Sequence, residues 1–414
     1  MLRLAKAPPL YILVLATATG PVAMQIWVPA IPGLINVFDV TYAAAQFTLT
    51  FFLVGMSVAQ LAYGPLSDRF GRRPVMIAGL GLYVAGSVLA ALAPSLTLLI
   101  FARVLQALGG VAGMVLSRAI IRDVHGRDRS ATMIAYVTMA MVAAPMVSPY
   151  LGGWLDTNVG WRAIFVATSV FGAVVLVLAT LRLPESNTER QALPGLGGFF
   201  AGYPALLRSL PFNAYAWQHA ASTGIWFSFL GGAPFLISGV LGLPSQVWGE
   251  WFIISAFAFM TGNFLAGRLS ERLGIDRMLL TGTLISYCGV GALFTGALMG
   301  LLSPASLFLP ISLISIGQGL SMPNALAGVV SVNPRVAGTA SGLSGFLQLG
   351  TGAIATQIVG RLLGETALPL AIIMLCFATV SLTFCLIAVR IGPRTRGYEL
   401  ASATAAARKE DPAA

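Results

Sequence analysis

Hydrophobic and polar residues follow one another along this chain in long blocks. Each of twelve apolar runs has about 20 residues and is long enough to cross a membrane as a helix. The runs lie at 10–32, 43–63, 75–93, 96–117, 132–153, 163–181, 214–238, 249–267, 278–299, 307–329, 339–360 and 367–389. They are continuously apolar, whereas strands of a membrane barrel alternate. We therefore predict an all-α membrane protein with twelve transmembrane helices.

Composition agrees with this prediction. Of the 414 residues, 57% are hydrophobic and 9% are charged, which is too little charge for a soluble protein of this length. The first run follows Arg3 and Lys6 and contains Ala16-Thr17-Ala18, so a cleaved signal peptide is one interpretation. No soluble domain follows, and we interpret the run as a retained helix. The three cysteines lie in predicted helices, where we expect free thiols.

The basic residues predict the side of the membrane on which each loop lies. A net charge of +10 is compatible with nucleic-acid binding, but the distribution of charge favours another interpretation. With a cytoplasmic N-terminus, Arg162 and Arg361 fall outside, Arg103 falls within a span, and every other Lys and Arg falls inside. This positive-inside pattern predicts two cytoplasmic termini in the inner (plasma) membrane. We expect membrane lipids as partners and no nucleic acid.

The longest polar stretch between spans divides the chain into two groups of six helices. We predict an N-terminal bundle at 1–181, a cytoplasmic linker at 182–212, a C-terminal bundle at 213–390 and a disordered cytoplasmic tail at 391–414. The linker contains Phe199, Phe200 and Tyr203, which are compatible with a short helix on the membrane surface.

A short motif is repeated at equivalent places in the two halves. GPLSDRFG at 64–71 returns as GRLSERLG at 267–274, and six of the eight positions match identically or by charge. Each copy lies between the second and third spans of its own half. Two parallel six-helix repeats are an arrangement of secondary transporters, which bind substrate between the halves near the midplane. We expect two pseudo-symmetric bundles.

The first copy of the motif continues as GRRP and concentrates charge in one turn. Its glycines allow a tight turn, its acid can face a helix N-terminus, and its arginines can bind helix ends, lipid head groups or an acid beyond the fourth span. Arginines that only anchor topology remain the alternative. The predicted gating residues are Gly64, Asp68, Arg69, Gly71, Arg72, Arg73 and Asp123.

Ionisable residues inside a membrane are expensive and are functional candidates by default. Arg103 lies within a span and either binds carbonyls and Gln106 or faces a cavity. No acidic residue lies in mid-span, and Glu250 is at the end of one. His219 can exchange protons near its ordinary pKa or serve only in packing. The neutral substrate candidates are Gln25, Gln46, Gln218, Asn324 and Gln348, with Trp27, Trp217 and Trp226 as aromatic walls or lipid-facing residues.

Prolines and glycines mark places where helices bend or approach closely. Proline removes a backbone donor and permits a bend, and bends where the halves meet suit a rocking motion. The candidates are Pro29, Pro32, Pro145, Pro149, Gly152, Gly153 and Pro234.

Several of these motifs resemble those of the major facilitator superfamily. GPLSDRFGRRP resembles its loop signature GxLxDRxGRR, and FARVLQALGG (101–110) resembles RxxQGxG with Ala107 in place of Gly. APMVSPYLGG (144–153) resembles the antiporter signature GPxxGPxxGG, with Ala144 and Ser148 in place of two glycines. Further stretches, WVPAIPGL, SRAIIRD, GWRAIF, GGAPFLIS, MPNALA and GTASGLSGFLQ, resemble twelve-helix drug:proton antiporters of the bicyclomycin and chloramphenicol resistance branch.

The resemblance implies alternating access between two halves and export of small amphipathic compounds. It also implies that Asp68 and Arg72 close the cytoplasmic side in the outward-open state, with Asp123 as partner. That branch usually carries an embedded Asp four residues before Pro29, and here the position is Gln25. The proton carrier is therefore not identified by the resemblance.

The sequence is compatible with a transporter more than with a membrane sensor or an enzyme. We expect a monomeric exporter of small molecules driven by protons, with no metal or other cofactor. A specific metabolite carrier or facilitator without proton coupling is the alternative, and a non-transporting membrane sensor is a more remote one. An enzyme would need convergent nucleophile, base or metal ligands, and the two histidines lie far apart in the sequence.

Overall fold

The computed structural model describes residues 8–124, 127–187, 203–332 and 337–410. These residues form twelve long helices and a short helix, Tyr203–Arg208, before the seventh. The long helices are α1 Leu10–Phe38, α2 Tyr42–Phe70, α3 Arg72–Ala91, α4 Leu96–Val124, α5 Arg127–Asn158, α6 Arg162–Arg182, α7 Leu210–Val240, α8 Ser245–Leu273, α9 Ile275–Leu298, α10 Pro304–Ser331, α11 Ala337–Leu362 and α12 Leu368–Glu410. The predicted fold class is confirmed.

The helices have the length and composition of membrane spans. Ten of those in the described residues are long and apolar enough to cross a bilayer. The other two, α5 and α11, have 32 and 26 residues, which is also sufficient length at about 1.5 Å per residue.

Local sequence determines where several helices begin and end. Thr41 caps α2, because its hydroxyl accepts a hydrogen bond from the Ala44 amide at 3.3 Å. Ser303 and Ser306 form a reciprocal capping box at the start of α10, with distances of 3.1 and 2.9 Å. Gly71 separates α2 from α3 with a φ of +100°, a conformation that other residues rarely adopt.

The two halves pack their six helices in the same pattern. In the first half α1 packs against α4 and α5, α2 against α4, and α3 against α4 and α6. In the second half α7 packs against α10 and α11, α8 against α10, and α9 against α10 and α12. Adding six to each helix number converts one set of contacts into the other. The sequence repeat therefore corresponds to two pseudo-symmetric six-helix bundles.

The most extensive contacts between the bundles are made by two helix pairs, α2 with α11 and α5 with α8. The pair α5–α8 approaches at glycines. A Cβ atom on Gly153 would lie 2.5 Å from the Ser245 carbonyl oxygen, and one on Gly249 would lie 2.7 Å from that of Pro149. The Ser245 hydroxyl also donates to Asp156 at 2.7 Å. Gly153, which we predicted as a bending residue, thus allows close approach of the two bundles. Gly152 allows close approach of α5 to Ile26 of α1 within the first bundle.

The prolines alter their helices in different ways. Pro29 and Pro32 lie in a 3₁₀ segment of α1, Val28–Gly33, and Pro234 precedes a π-helical end of α7, Leu236–Val240. Pro145 and Pro149 lie inside α5, which is continuous through them. The tighter 3₁₀ turns in α1 and the wider π turns in α7 provide other backbone hydrogen bonds in place of those that proline removes.

The C-terminal segment differs from its prediction. We predicted a disordered tail at 391–414, and the structure continues α12 as a helix to Glu410. The sequence ELASATAAARKE at 399–410 is rich in alanine, which has the highest helix propensity. Of the linker aromatic residues, Tyr203 begins the short helix, and Phe199 and Phe200 lie outside the described residues.

We expect Gly249→Val to weaken the contact between the bundles. The added atoms meet the backbone of α5, and overpacking of this kind costs about 1–3 kcal/mol. Gly267→Val is the matched control, because it lies on the same helix and a Cβ atom there meets nothing within 4 Å. Thermal unfolding of the purified proteins measures the difference. Equal melting temperatures for the two variants would contradict the close packing of α5 on α8.

Candidate functional site

Three charged side chains meet where α2 ends, α3 begins and α4 ends. Arg72 donates through Nη1 to Asp68 at 2.6 Å and through Nε to Asp123 at 2.9 Å. We call these three residues the Arg72 cluster. Their side chains are between 12% and 42% exposed, so water screens their attraction and each pair contributes little free energy. Such a cluster can open at low cost.

Polar groups from α2 and from the segment after α6 complete the cluster. The Ser67 hydroxyl accepts from Arg72 Nη1 at 2.5 Å, and the Ser186 hydroxyl donates to Asp123 at 3.0 Å. The Asn187 side chain donates to the Asp68 carbonyl at 3.0 Å. The end of the first bundle is therefore tied to the start of the linker.

Glu185 caps the N-terminus of α3, a role that we did not predict. Its carboxylate accepts from the backbone amides of Arg72 at 2.8 Å and Arg73 at 3.2 Å. It also accepts from the amides of Ser186 and Asn187, each at 3.0 Å. A carboxylate at this position satisfies free amides and interacts favourably with the helix dipole. In the sequence, the polar stretch PESN at 184–187, shortly after the sixth apolar run, could have indicated a capping residue.

The other predicted gating residues lie around the cluster without joining its ion pairs. Arg73 donates to the Thr180 carbonyl of α6 at 2.8 Å. The guanidinium of Arg69 lies 5.5 Å from the ring centre of Phe70. A cavity of about 410 Å³ lies beside the cluster and is lined by Gly64, Asp68, Arg72, Val115, Ala119, Arg122 and Asp123.

The second copy of the motif keeps the turn but changes the chemistry. Gly274 has a φ of +84°, and its amide donates to the Ser270 carbonyl at 2.9 Å. In the first copy the Gly71 amide donates to the Ser67 carbonyl at 3.1 Å. The position equivalent to Arg72 is Ile275, which cannot form an ion pair. Both copies of the motif therefore form the same turn between helices, and the ion pairs of the Arg72 cluster occur in the first bundle.

Arg103 is fully buried in the first bundle among neutral groups. Its Nη1 donates to the Ala23 carbonyl of α1 at 3.1 Å and to Gln106, and its Nε points to the Thr48 carbonyl at 3.4 Å. The guanidinium also lies 3.9 Å from the ring centre of Phe52. Carbonyl dipoles and a π face partly replace the water that this charge has lost.

Gln106 extends the polar network around Arg103. Its amide group donates to the hydroxyl of Ser87 on α3 at 2.8 Å and to that of Thr168 on α6 at 3.4 Å. Arg103 and Gln106 thus link α1, α2, α3 and α6 around α4. Of the two alternatives for Arg103, binding to carbonyls and Gln106 or facing a cavity, the structure shows the first.

Two candidates on α1 have different surroundings. Trp27 is fully buried, donates to the Thr48 hydroxyl at 2.9 Å and packs 4.6 Å from Phe165. It belongs to the core of the first bundle and is not an aromatic wall in this conformation. Gln25 is 5% exposed, and its side-chain oxygen is buried with no hydrogen-bond partner among the described residues.

Gln46 joins the two bundles at the end opposite to the Arg72 cluster. Its side-chain amide donates to the Gly231 carbonyl of α7 at 2.8 Å, and Tyr42 donates to the same carbonyl at 2.7 Å. Thr50 reaches Thr356 and Gln357 of α11 at 3.1 and 3.2 Å. Gln46 therefore makes a contact between bundles in this conformation.

Gln218 and His219 lie in the core of the second bundle. Gln218 donates to Thr283 of α9 at 3.1 Å and to Ser381 of α12 at 3.4 Å. His219 is 5% exposed, and its Nδ1 lies 3.3 Å from the Ser344 hydroxyl of α11. Helix α11 also packs on α2, so the contact of His219 is with a helix that borders the first bundle.

The remaining substrate candidates are dispersed. Asn324 is buried and donates to the Leu320 carbonyl of its own helix at 2.8 Å. Trp217 is 37% exposed and stacks 6.4 Å from Phe384. Trp226 packs edge-on against Phe252 at 5.7 Å, and Gln348 is half-buried on α11. The structure does not gather these residues into one site.

The buried polar side chains of the described residues are almost all uncharged. They are serines, threonines, glutamines and one asparagine, with His219 and Arg103 in addition, and include no Asp, Glu or Lys. Two six-helix bundles around such a polar interior, with charged groups at the ends, define a membrane protein of the transporter class.

Comparison with known proteins agrees with this class. The model of the Major Facilitator Superfamily matches residues 13–356. A chloramphenicol resistance protein of Pseudomonas aeruginosa is 32% identical over 90% of this chain and 89% of its own length. Multidrug resistance protein D of Escherichia coli (strain K12) is 31% identical over 84% of this chain and 87% of its own. The chain belongs to the Major Facilitator Superfamily.

A solved structure shows the same fold at lower sequence identity. A bacterial homolog of the human lysosomal transporter Spinster, inward-facing and unoccupied, superimposes with a TM-score of 0.73 at 16% identity. The similarity covers 93% of this chain and 97% of that one.

We expect Glu185→Ala to loosen the N-terminus of α3. Loss of a capping side chain costs about 1 kcal/mol, so the amides of Arg72 and Arg73 are expected to exchange hydrogen about 5-fold faster. Hydrogen–deuterium exchange of the purified protein measures this locally. The control is Glu271→Ala, at an exposed acid within the second copy of the motif. Unchanged exchange at Arg72 and Arg73 would contradict the capping role.

Proposed function

We propose that this chain is a secondary active transporter that exports small amphipathic compounds, including drugs, by proton antiport with alternating access. The observation that carries the proposal is similarity along most of the chain to two proteins named for drug resistance. The buried side chains of the described residues, which are mostly apolar with a few polar groups, support it, because pockets for small molecules have this composition.

We assign the gating role to the Arg72 cluster. Its ion pairs connect α2, α3 and α4 at one end of the first bundle. At the other end, Tyr42, Gln46 and Thr50 join the bundles by hydrogen bonds. In an alternating-access cycle these latter contacts break as the first bundle rocks away, and the Arg72 cluster rearranges at the opposite side. The charge distribution supports a cytoplasmic location for the cluster and for both termini.

The same proposal includes the division into domains. The N-terminal bundle comprises 1–181 and the C-terminal bundle 213–390, joined by a linker at 182–212. Helix α6 ends at Arg182, and the contacts of Glu185 and Asn187 with α2 and α3 support a linker that starts as part of the first bundle.

We propose His219 as the proton-coupling residue. Histidine can change its charge near physiological pH, and His219 contacts Ser344 on a helix that packs against the first bundle. A proton on the ring would change that contact and so the balance between conformations. Glu250 is the other candidate, but it is exposed and accepts from Gln246 at 2.8 Å within its own helix.

A specific metabolite carrier or facilitator without proton coupling is the second candidate function. One observation favours it: the position of the acid expected from the drug:proton antiporters holds Gln25, and the sequence has no Asp or Glu in mid-span. A facilitator needs no proton carrier, so this reading explains the missing carboxylate directly.

We expect cells that lack their own efflux pumps to accumulate less of several antibiotics and dyes when they express this protein. A protonophore is expected to abolish the difference. Asp68→Asn removes one ion pair of the Arg72 cluster and is expected to lower export by about 5-fold or more.

The matched control for Asp68→Asn is Glu271→Gln, the equivalent position in the second motif, where Ile275 replaces the arginine partner. Western blots of membranes establish equal protein levels. Export that survives the protonophore would favour the facilitator, absence of export of every compound would contradict the proposed function, and unchanged export by Asp68→Asn would contradict the gating role.

We expect His219→Gln to separate transport from proton coupling. In proteoliposomes, substrate exchange at equal pH continues, whereas uptake driven by a pH gradient falls by about tenfold or more, because the glutamine cannot carry a proton. Glu250→Gln is the comparison variant and is expected to retain gradient-driven uptake. Retained gradient-driven uptake in His219→Gln together with its loss in Glu250→Gln would assign proton coupling to Glu250.

A further inference from the structure

Among the residues that the structure describes, the interior of this transporter contains a positive charge and no negative one. Every Asp and Glu that the structure describes lies near a helix end, in a connection or in the extension of α12, and none lies in the middle of a span. Arg103 is the permanent charge among the buried polar side chains of the described residues. Charges interact over more than 10 Å in a medium of low dielectric constant, so Arg103 affects any ion that enters between the bundles.

The charge of Arg103 is not compensated by a carboxylate. Its hydrogen bonds reach the carbonyls of Ala23 and Thr48 and the amide oxygen of Gln106, all neutral acceptors. Its Nη2 is buried and has no hydrogen-bond partner among the described residues. The guanidinium therefore retains both a net positive charge and an unused donor.

Aromatic faces near Arg103 do not offer an alternative site for a cation. The rings of Trp27, Phe52 and Phe165 lie 5.9, 3.9 and 5.8 Å from the guanidinium carbon. A cation–π site needs a free ring face, and Arg103 already occupies this group of rings. Gln25, two residues after Ala23 on α1, carries a neutral amide and supplies no counter-charge to the interior.

We propose that the substrate site prefers anionic over cationic amphipathic compounds, accepts neutral ones and rejects lipophilic cations. This inference rests on the proposed function and specifies its substrate class. A cation leaves water for an interior that has no counter-ion and carries a like charge. An anion of the same shape is attracted by the charge of Arg103 across the low-dielectric interior.

Two ions of nearly the same size and shape test the proposal directly. Tetraphenylphosphonium and tetraphenylborate each carry four phenyl groups, with opposite charges. Equilibrium dialysis measures the binding of each ion to the purified full-length protein in phosphatidylcholine nanodiscs, with empty nanodiscs subtracted. We expect tetraphenylborate to bind at least about tenfold more tightly, which corresponds to about 1.4 kcal/mol. Equal binding, tighter binding of the phosphonium or binding of neither ion would overturn the proposal.

Variants test whether the charge inside the protein causes the preference. Gln25→Glu places a carboxylate on α1 and is expected to raise tetraphenylphosphonium affinity about tenfold and lower that of tetraphenylborate. Asn158→Asp makes the same amide-to-acid change at the exposed end of α5 and is expected to keep the wild-type preference. Arg103→Gln is expected to weaken tetraphenylborate binding. Thermal unfolding shows whether each variant is folded. If Arg103→Gln is not folded, the change in binding caused by Gln25→Glu decides whether the interior charge sets the preference.

Failure of this inference can be distinguished from failure of the proposed function. Export of lipophilic cations such as ethidium by the wild-type protein would overturn the substrate class and leave the exporter intact. A preference for tetraphenylborate in a protein that exports none of the panel would retain the charge selectivity and overturn drug export.

Discussion

The structure depends on one constraint: a polar group inside a membrane must find its partner within the protein, because lipid offers none. Helices satisfy the backbone, and many side-chain hydroxyls satisfy themselves on carbonyls one turn back, as Thr17 does on Leu13 at 2.8 Å. The larger polar groups need partners on other helices. Arg103 binds carbonyls of α1 and α2, and Gln46 and Tyr42 share the Gly231 carbonyl of the other bundle.

The same constraint separates two kinds of charged site. Arg103 is permanently enclosed and held by dipoles and aromatic rings, so moving it would expose a charge to lipid at high cost. The Arg72 cluster lies at the end of the helices, where water reaches its side chains and can replace any bond that breaks. The proposed gating role needs bonds that open, which fits the second kind of place, whereas a charge that sets a lasting electrostatic environment fits the first.

The two bundles share their architecture but differ in chemistry. Their helix contacts correspond pair by pair, and Gly71 and Gly274 form equivalent left-handed turns. Packing and turns are the properties that a repeated six-helix unit requires in both copies. The ion pairs of Arg72 have no equivalent at Ile275. Among the described residues, the first bundle buries Arg103 and the second buries His219. Symmetric helix packing is thus combined with asymmetric electrostatics.

The sequence alone determined the twelve spans, the repeat and the list of embedded polar residues, because length, hydrophobicity and the cost of a buried charge are local properties. The family motifs added the class of transporter. Tertiary structure alone decided which groups meet: Glu185 on the first amides of α3, Gln46 on Gly231, and Trp27 inside the core. These contacts join residues far apart in the chain, and their geometry follows from how whole helices pack, which no short stretch of sequence encodes.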